Sequence, residues 1–205
     1  MSSDGLILFG GSFDPVHCGH IQMAQFAMSY LNVNRLIMIP AARSPHKITL
    51  PTATGQDRLE MIRLAIRGIA GLEVSDIELK RAQPSYTYDT IVAFREQTGF
   101  DAALYWLVGA DSIADLPYWY RIVELLDKCQ LCIMYRAGYE RPSLKTLQHK
   151  FRPDQIDALE RHIIPTPLVD ISSTVVRKRI AAGLAGNDIV CPDVLEYIIK
   201  NRLYH

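Results

Sequence analysis

Residues 6–27, LILFGGSFDPVHCGHIQMAQFA, leave this chain few ways to fold. Leu6, Ile7, Leu8 and Phe9 make an apolar run of strand length. The chain then breaks at Gly10-Gly11, and a helical pattern follows from Gly19 to Leu31. A strand that passes through a glycine turn into a helix begins a βαβ unit. The free backbone N–H groups and the dipole of that helix favour an anion at its mouth, where His17 and His20 stand.

The same alternation continues along the chain. Further strands are expected at Arg35–Pro40, Leu72–Asp76, Ala103–Val108 and Gln130–Tyr135, with a short one near His162–Pro165. Helices are expected at Gly55–Ile69, Tyr88–Thr98, Ser112–Leu116, Ile122–Cys129, Pro153–Arg161, Ser173–Ala182 and Pro192–Asn201. Ala41–Gln56 and Arg136–Phe151 are polar, broken by proline or glycine, and read as loops. Alternating strands and helices predict an α/β fold with a parallel sheet. One domain over 1–205 is expected, with a small helical C-terminal part at about 170–205.

Composition narrows the function. The 205 residues carry 22 basic and 22 acidic side chains, so a global electrostatic grip on nucleic acid is not expected. No apolar run reaches the roughly 20 residues that span a bilayer, and no basic segment precedes Leu6 as in a secretory signal. Four cysteines in this length suggest no disulfide framework and fit a reducing cytoplasm. Cys129 and Cys132 read as packing residues. Cys18, inside the histidine block, reads as a thiol open to modification by thiol reagents.

Ligands of open parallel sheets bind beyond the carboxyl ends of the strands. Gly10-Gly11, His46-Lys47, Gly109-Ala110-Asp111 and Arg136 all follow predicted strands, so they should meet on one rim. The loop lacks both the Walker lysine and the dinucleotide glycine pattern. His17 and His20, three residues apart, share a helix face and can each donate to a phosphate oxygen. The other readings are surface residues or half of a zinc site, and no other Cys/His cluster has zinc-site spacing. Asp111 at its turn can also cap the short helix that follows. Residues 170–177, D-I-S-S-T-V-V-R, open a helix with Ser172 or Ser173 as cap and Arg177 one turn in.

The G-G-S-F-D-P-x-H-x-G-H and I-S-S-T-x-x-R blocks resemble the two signatures of the nucleotidylyltransferase superfamily. S-P-H-K at 44–47, P-S-Y-T-Y-D-T at 84–90, V-G-A-D-S at 108–112 and L-P-Y-W-Y at 116–120 extend the likeness. Together they resemble the bacterial nicotinate mononucleotide adenylyltransferases over nearly the whole chain. The resemblance implies a Rossmann-like sheet and transfer of the adenylyl group of ATP to nicotinate mononucleotide, giving deamido-NAD and pyrophosphate.

By that resemblance, His17, His20 and Arg177 are catalytic. Gly10, Gly11, Ser12, Asp111, Ser172 and Ser173 join them around ATP. Lys47 and Arg136 would hold the mononucleotide phosphate, Trp119 would stack on the pyridine ring, and Thr87 and Tyr88 would offer backbone N–H groups to its carboxylate. Mg2+ would ride on the ATP phosphates without protein ligands. Rival readings are an enzyme for nicotinamide mononucleotide or another phosphate acceptor, such as phosphopantetheine, and a non-catalytic nucleotide-binding regulator. The partners implied are small molecules, with no nucleic acid or membrane.

Overall fold

A computed structural model describes residues 5–43, 50–99, 102–167, 171–184, 186 and 188–205. Its centre is a six-stranded sheet of β1 (Gly5–Gly11), β2 (Leu36–Pro40), β3 (Leu72–Val74), β4 (Ala103–Gly109), β5 (Gln130–Arg136) and β6 (Ile163–Thr166). The spatial order is β3-β2-β1-β4-β5-β6, and every neighbouring pair is parallel. Chain order therefore reverses between β1 and β4, the switch point at which doubly wound sheets open a crevice.

Strand alternation divides the core in two. Ile7 and Phe9 face one way with Met38, Leu107 and Met134, under α1 (Cys18–Leu31) and α2 (Gly55–Ala65). Leu6 and Leu8 face the other way with Ile39, Trp106 and Ile133. They lie under α3 (Thr87–Thr98), α4 (Ile122–Leu126) and α5 (Pro153–Arg161). α6 (Ser173–Ala181) and α7 (Pro192–Lys200) complete the first layer through Val176, Ile180, Val194 and Ile198. The predicted parallel α/β sheet flanked by helices is thus the observed fold.

Several boundaries differ from expectation. The expected helix Ser112–Leu116 is replaced by two single 3-10 turns, Ala110–Ser112 and Leu116–Tyr118; Pro117 lacks an N–H and interrupts regular helix. α2 stops at Ala65 rather than Ile69, just before Gly68 enters the left-handed region at φ 77°. α4 ends at Leu126, three residues early.

One register matters for the site. β1 and β4 pair from Gly5–Ala103 to Leu8–Trp106, whereas β1 continues pairing with β2 to Gly11–Pro40. Beyond Leu8, β1 leans to β2, and a gap opens against Leu107–Gly109.

Candidate active site

Two cavities flank that gap. The first, about 370 Å3, is lined by Gly10, Gly11 and Ser12 from the end of β1, with Glu78, Thr87 and Trp119. The second, about 480 Å3, is lined by His17 and Gly19 of the α1 entrance, with Arg136, Tyr139 and Thr166. Gly109 and Asp111 line both. Each volume is that of a small-molecule pocket, and the turn after β4 is their common wall. A Cβ on Gly109 would strike Asp111 Oδ1, so the missing side chain lets the carboxylate lie over the strand end. Gly10 answers a similar demand, because a Cβ there would enter the Trp106 indole.

The histidine pair is built by the helix start. His17 is the extended N-cap of α1, and its N–H donates to His20 Nδ1 at 3.2 Å. That acceptance leaves the His20 ring hydrogen on Nε2. The two rings stack with centroids 3.7 Å apart, and Phe13 meets His20 edge-on at 4.9 Å. His17 is only 5% exposed, and burial lowers its pKa to about 4. At pH 7 it is therefore neutral, so towards any anion the ring can act only as an N–H donor, not as a standing cation. Its Nδ1 is buried and has no hydrogen-bond partner among the described residues.

α6 is tied to the G-G-S-F-D-P loop by its first turn. Ser172 caps the helix, accepting from the Val175 N–H at 3.3 Å. Ser173 Oγ donates to the Pro15 carbonyl at 2.9 Å. Arg177 Nη1 donates to the Asp14 carbonyl at 2.7 Å, and Nη2 to Thr174 Oγ1 at 3.4 Å. The two motifs, some 160 residues apart in the chain, are thus brought together. Their link is direct: the expected phosphate ligands Ser173 and Arg177 also hold the loop in shape.

Behind the loop lies a polar network that the sequence motifs mark only in part. The Asp14 carboxylate, 5% exposed, accepts from the N–H groups of Thr52 at 2.7 Å and Ala53 at 3.0 Å and from the Tyr204 hydroxyl at 2.8 Å. Arg58, fully enclosed, donates from Nη1 to the Ser12 carbonyl at 2.7 Å. Burial draws the Arg58 pKa down, and the charge of Asp14 opposes that shift. On the first cavity, Glu78 accepts from Thr90 Oγ1 at 2.7 Å, and burial raises its pKa. Ser85 Oγ in turn accepts from the Ala42 N–H at 3.0 Å, fastening the chain after β2 to the α3 entrance. Ser85 stood within the P-S-Y-T motif, and Asp14 within the first block. Arg58, Glu78 and Tyr204 carried no comparable mark.

The mononucleotide residues are divided. Thr87 and Trp119 line the first cavity, with Thr87 the first residue of α3. Tyr88 follows it in the same turn, but its ring is buried, with the Arg121 guanidinium 4.2 Å from the ring centroid. Arg136 lines the second cavity, beside His17, and not the cavity of Trp119. Lys47 lies outside the described residues. Among the described residues no group of three or more His, Cys, Asp or Glu is placed to hold a metal. An ion bound mainly through substrate oxygens and water is compatible with such a site.

A crevice at the switch point of a parallel sheet, with paired imidazoles at a helix mouth and an arginine-bearing second helix locked to the same loop, defines a nucleotide-handling α/β protein. Comparisons with known proteins agree. Residues 8–179 match the family model described as Cytidylyltransferase-like. A relative from Gloeobacter violaceus is 39% identical over 96% of this chain and 94% of its own length. Another, from Rhodopirellula baltica, is 39% identical over 99% and 94%. Both are named "Probable nicotinate-nucleotide adenylyltransferase". The solved structure of Plasmodium falciparum nicotinic acid mononucleotide adenylyltransferase complexed with NaAD superposes with a TM-score of 0.72. It shares 19% identity and covers 98% of this chain and 97% of that one, a likeness of fold. The chain belongs to the cytidylyltransferase-like nucleotidyltransferases and, within them, to the nicotinate-nucleotide adenylyltransferase family. None of its described helices is long and apolar enough to cross a membrane.

Proposed function

We propose that this protein transfers the adenylyl group of ATP to nicotinate mononucleotide, releasing pyrophosphate and forming deamido-NAD. The observation that carries the reading is the 39% identity, over nearly all of both chains, with relatives bearing that name. The two cavities with a common wall at Gly109 and Asp111 support it, because the reaction needs two nucleotides side by side.

The chemistry suits the side chains. A phosphate monoester has a second pKa near 6, so at neutral pH the attacking oxygen needs no general base. It bonds to the α-phosphorus of ATP as the bond from that phosphorus to the bridging oxygen breaks, and the electron pair leaves with pyrophosphate. The protein must align two anions and stabilise the charge that develops on the leaving group.

His17 and His20 would do so as imidazole donors at the α1 mouth. The buried Nδ1 of His17, without a partner among the described residues, gives it capacity for a further hydrogen bond. Ser172, Ser173 and Arg177 would close over the triphosphate from α6. Gly10, Gly11 and Ser12 would floor the α-phosphate, and Asp111 would contact ribose from the dividing wall. The backbone N–H groups of Thr87 and Tyr88, in the first turn of α3, would donate to the nicotinate carboxylate, with Trp119 against the ring. Lys47 would serve the mononucleotide phosphate. Arg136, lining the histidine cavity, would approach the phosphates from the ATP side. Magnesium, carried on ATP oxygens, would supply charge neutralisation.

The test is to follow pyrophosphate with ATP, Mg2+ and either nicotinate or nicotinamide mononucleotide. A strong preference for the nicotinate form is expected. Equal rates would overturn the acceptor assignment, and no pyrophosphate with either would overturn the activity.

A further inference from the structure

A third, smaller cavity of about 180 Å3 lies against the outside of the α1 entrance. Its wall includes Val16, His17, Cys18, Ile21 and Ala65 from the α1–α2 side and Cys191 from just before α7. Two cysteines 173 positions apart therefore share one cavity with a histidine of the candidate active site. Both are half-buried. Cys18 is the first residue of α1, and its N–H donates to the Ile189 carbonyl at 2.9 Å. Ile189 lies two residues before Cys191, which is the N-cap of α7 and accepts from the N–H groups of Val194 and Leu195, each at 3.0 Å. The backbone on each side of the pair is thus fixed, and the segment bearing one thiol is hydrogen-bonded to the residue bearing the other.

The other two cysteines offer a contrast. Cys129 is buried in the core layer under α3–α5, and Cys132 in the opposite layer under α1 and α2. Although close in sequence, they are separated by the sheet. Burial also pushes the Cys132 thiol up to about 12 and Cys129 higher still, so neither is a ready nucleophile.

We propose that Cys18 and Cys191 form a thiol modification site, closed into a disulfide by low-molecular-weight disulfides, and that closure switches off the enzyme. One protein thiolate attacks a sulfur of the reagent, breaking its S–S bond and expelling one small thiolate. The second protein thiolate then attacks the protein sulfur of the mixed disulfide and expels the other. The cysteines lose two electrons and two protons, and the reagent leaves as two thiols. Closure ties the first turn of α1 to the first turn of α7. The strain falls on Cys18, next to His17, whose ring must stay stacked on His20. Burial, reinforced by the neighbouring Cys191, holds the Cys18 thiol protonated above its ordinary range. The reaction should accordingly quicken as pH rises.

The activity readout rests on the proposed adenylyl transfer, whereas the thiol readouts do not. The full chain is incubated with excess oxidised glutathione at about pH 8, near the ordinary thiol range, then analysed by intact mass, peptide mapping and pyrophosphate release. A loss of about 2 Da, a Cys18–Cys191 cross-linked peptide and a rate at least about fivefold lower, restored by dithiothreitol, are expected. Cys191→Ser, which places a good capping residue at the start of α7, should keep its untreated rate and show no such cross-link. Absence of the cross-link, a cross-link through Cys129 or Cys132, or a cross-linked protein of unchanged rate would each overturn the proposal. If untreated protein makes no pyrophosphate, the adenylyl-transfer reading fails instead, and the mapping still decides whether the two thiols pair.

Discussion

The Tyr204 hydroxyl donates to Asp14 Oδ1 across 2.8 Å, although the two lie 190 positions apart in the chain. Asp14 also lends its backbone carbonyl to Arg177, so the end of the described chain reaches the arginine through a single residue. Tyr204→Phe keeps the ring in place and removes one buried donor from a carboxylate. A loss of about 1–3 kcal/mol is expected, read as a lower urea midpoint. Turnover should fall while KM for nicotinate mononucleotide holds. An unchanged midpoint would mean the contact contributes nothing to the loop.

His20→Ala should lower kcat by at least about 10²-fold with little change in binding of the mononucleotide. Steady-state kinetics with each substrate varied separately provide the check. An effect confined to KM would reduce the histidine to a ground-state contact.

Burial sets His17 at a pKa of about 4 against an ordinary 6.5. Between those values the unfolded chain takes up a proton that the folded chain refuses. Stability contributed at this position is therefore full above about pH 6.5, falls as pH drops toward about 4, and is level below that. The loss is of order 3 kcal/mol. Comparing urea midpoints of wild type and His17→Asn at pH 5 and 7 isolates the effect, since the variant should lose less on acidification. Parallel slopes for the two proteins would refute it.

Trp119→Ala should raise KM for nicotinate mononucleotide about five- to tenfold, the worth of roughly 1 kcal/mol of ring stacking, and leave ATP binding intact. A variant that fails to fold would make Trp119 a core residue instead. Thermal melting distinguishes that outcome from a loss of binding.

Gly10→Ala tests the close packing at the crevice floor. Its new methyl meets the Trp106 indole, and the resulting overpacking should cost about 1–3 kcal/mol. Adding Trp106→Phe should recover part of the loss. If Gly10→Ala melts like wild type, the strand end has room that the structure does not show.

What could be read in advance was local or periodic. The β1–glycine–α1 pattern predicted the histidine pair at a helix mouth, because hydrophobic period and turn chemistry are short-range signals. The serine cap and Arg177 were equally visible one helical turn apart. Arg136 was legible as a strand-end residue, but not its side of the crevice. That depends on β5 lying between β4 and β6, an order that spacing does not encode. Arg58 and Tyr204 stayed hidden for another reason: an arginine in a helix and a tyrosine near the end of the chain are ordinary until folding brings both to one loop. Ser112–Leu116 read as helix because its apolar spacing is helical, while the segment before Pro117 is too short to sustain one.

The wall formed by Gly109 and Asp111 has a further consequence. Because the two chambers meet there, and on the proposed function each takes one nucleotide, a single molecule reaching across the wall would bind each half at the effective concentration set by the other. Its affinity would exceed that of either nucleotide alone. Bisubstrate ligands, joined at the length of the dinucleotide itself, are thus the inhibitors this architecture favours.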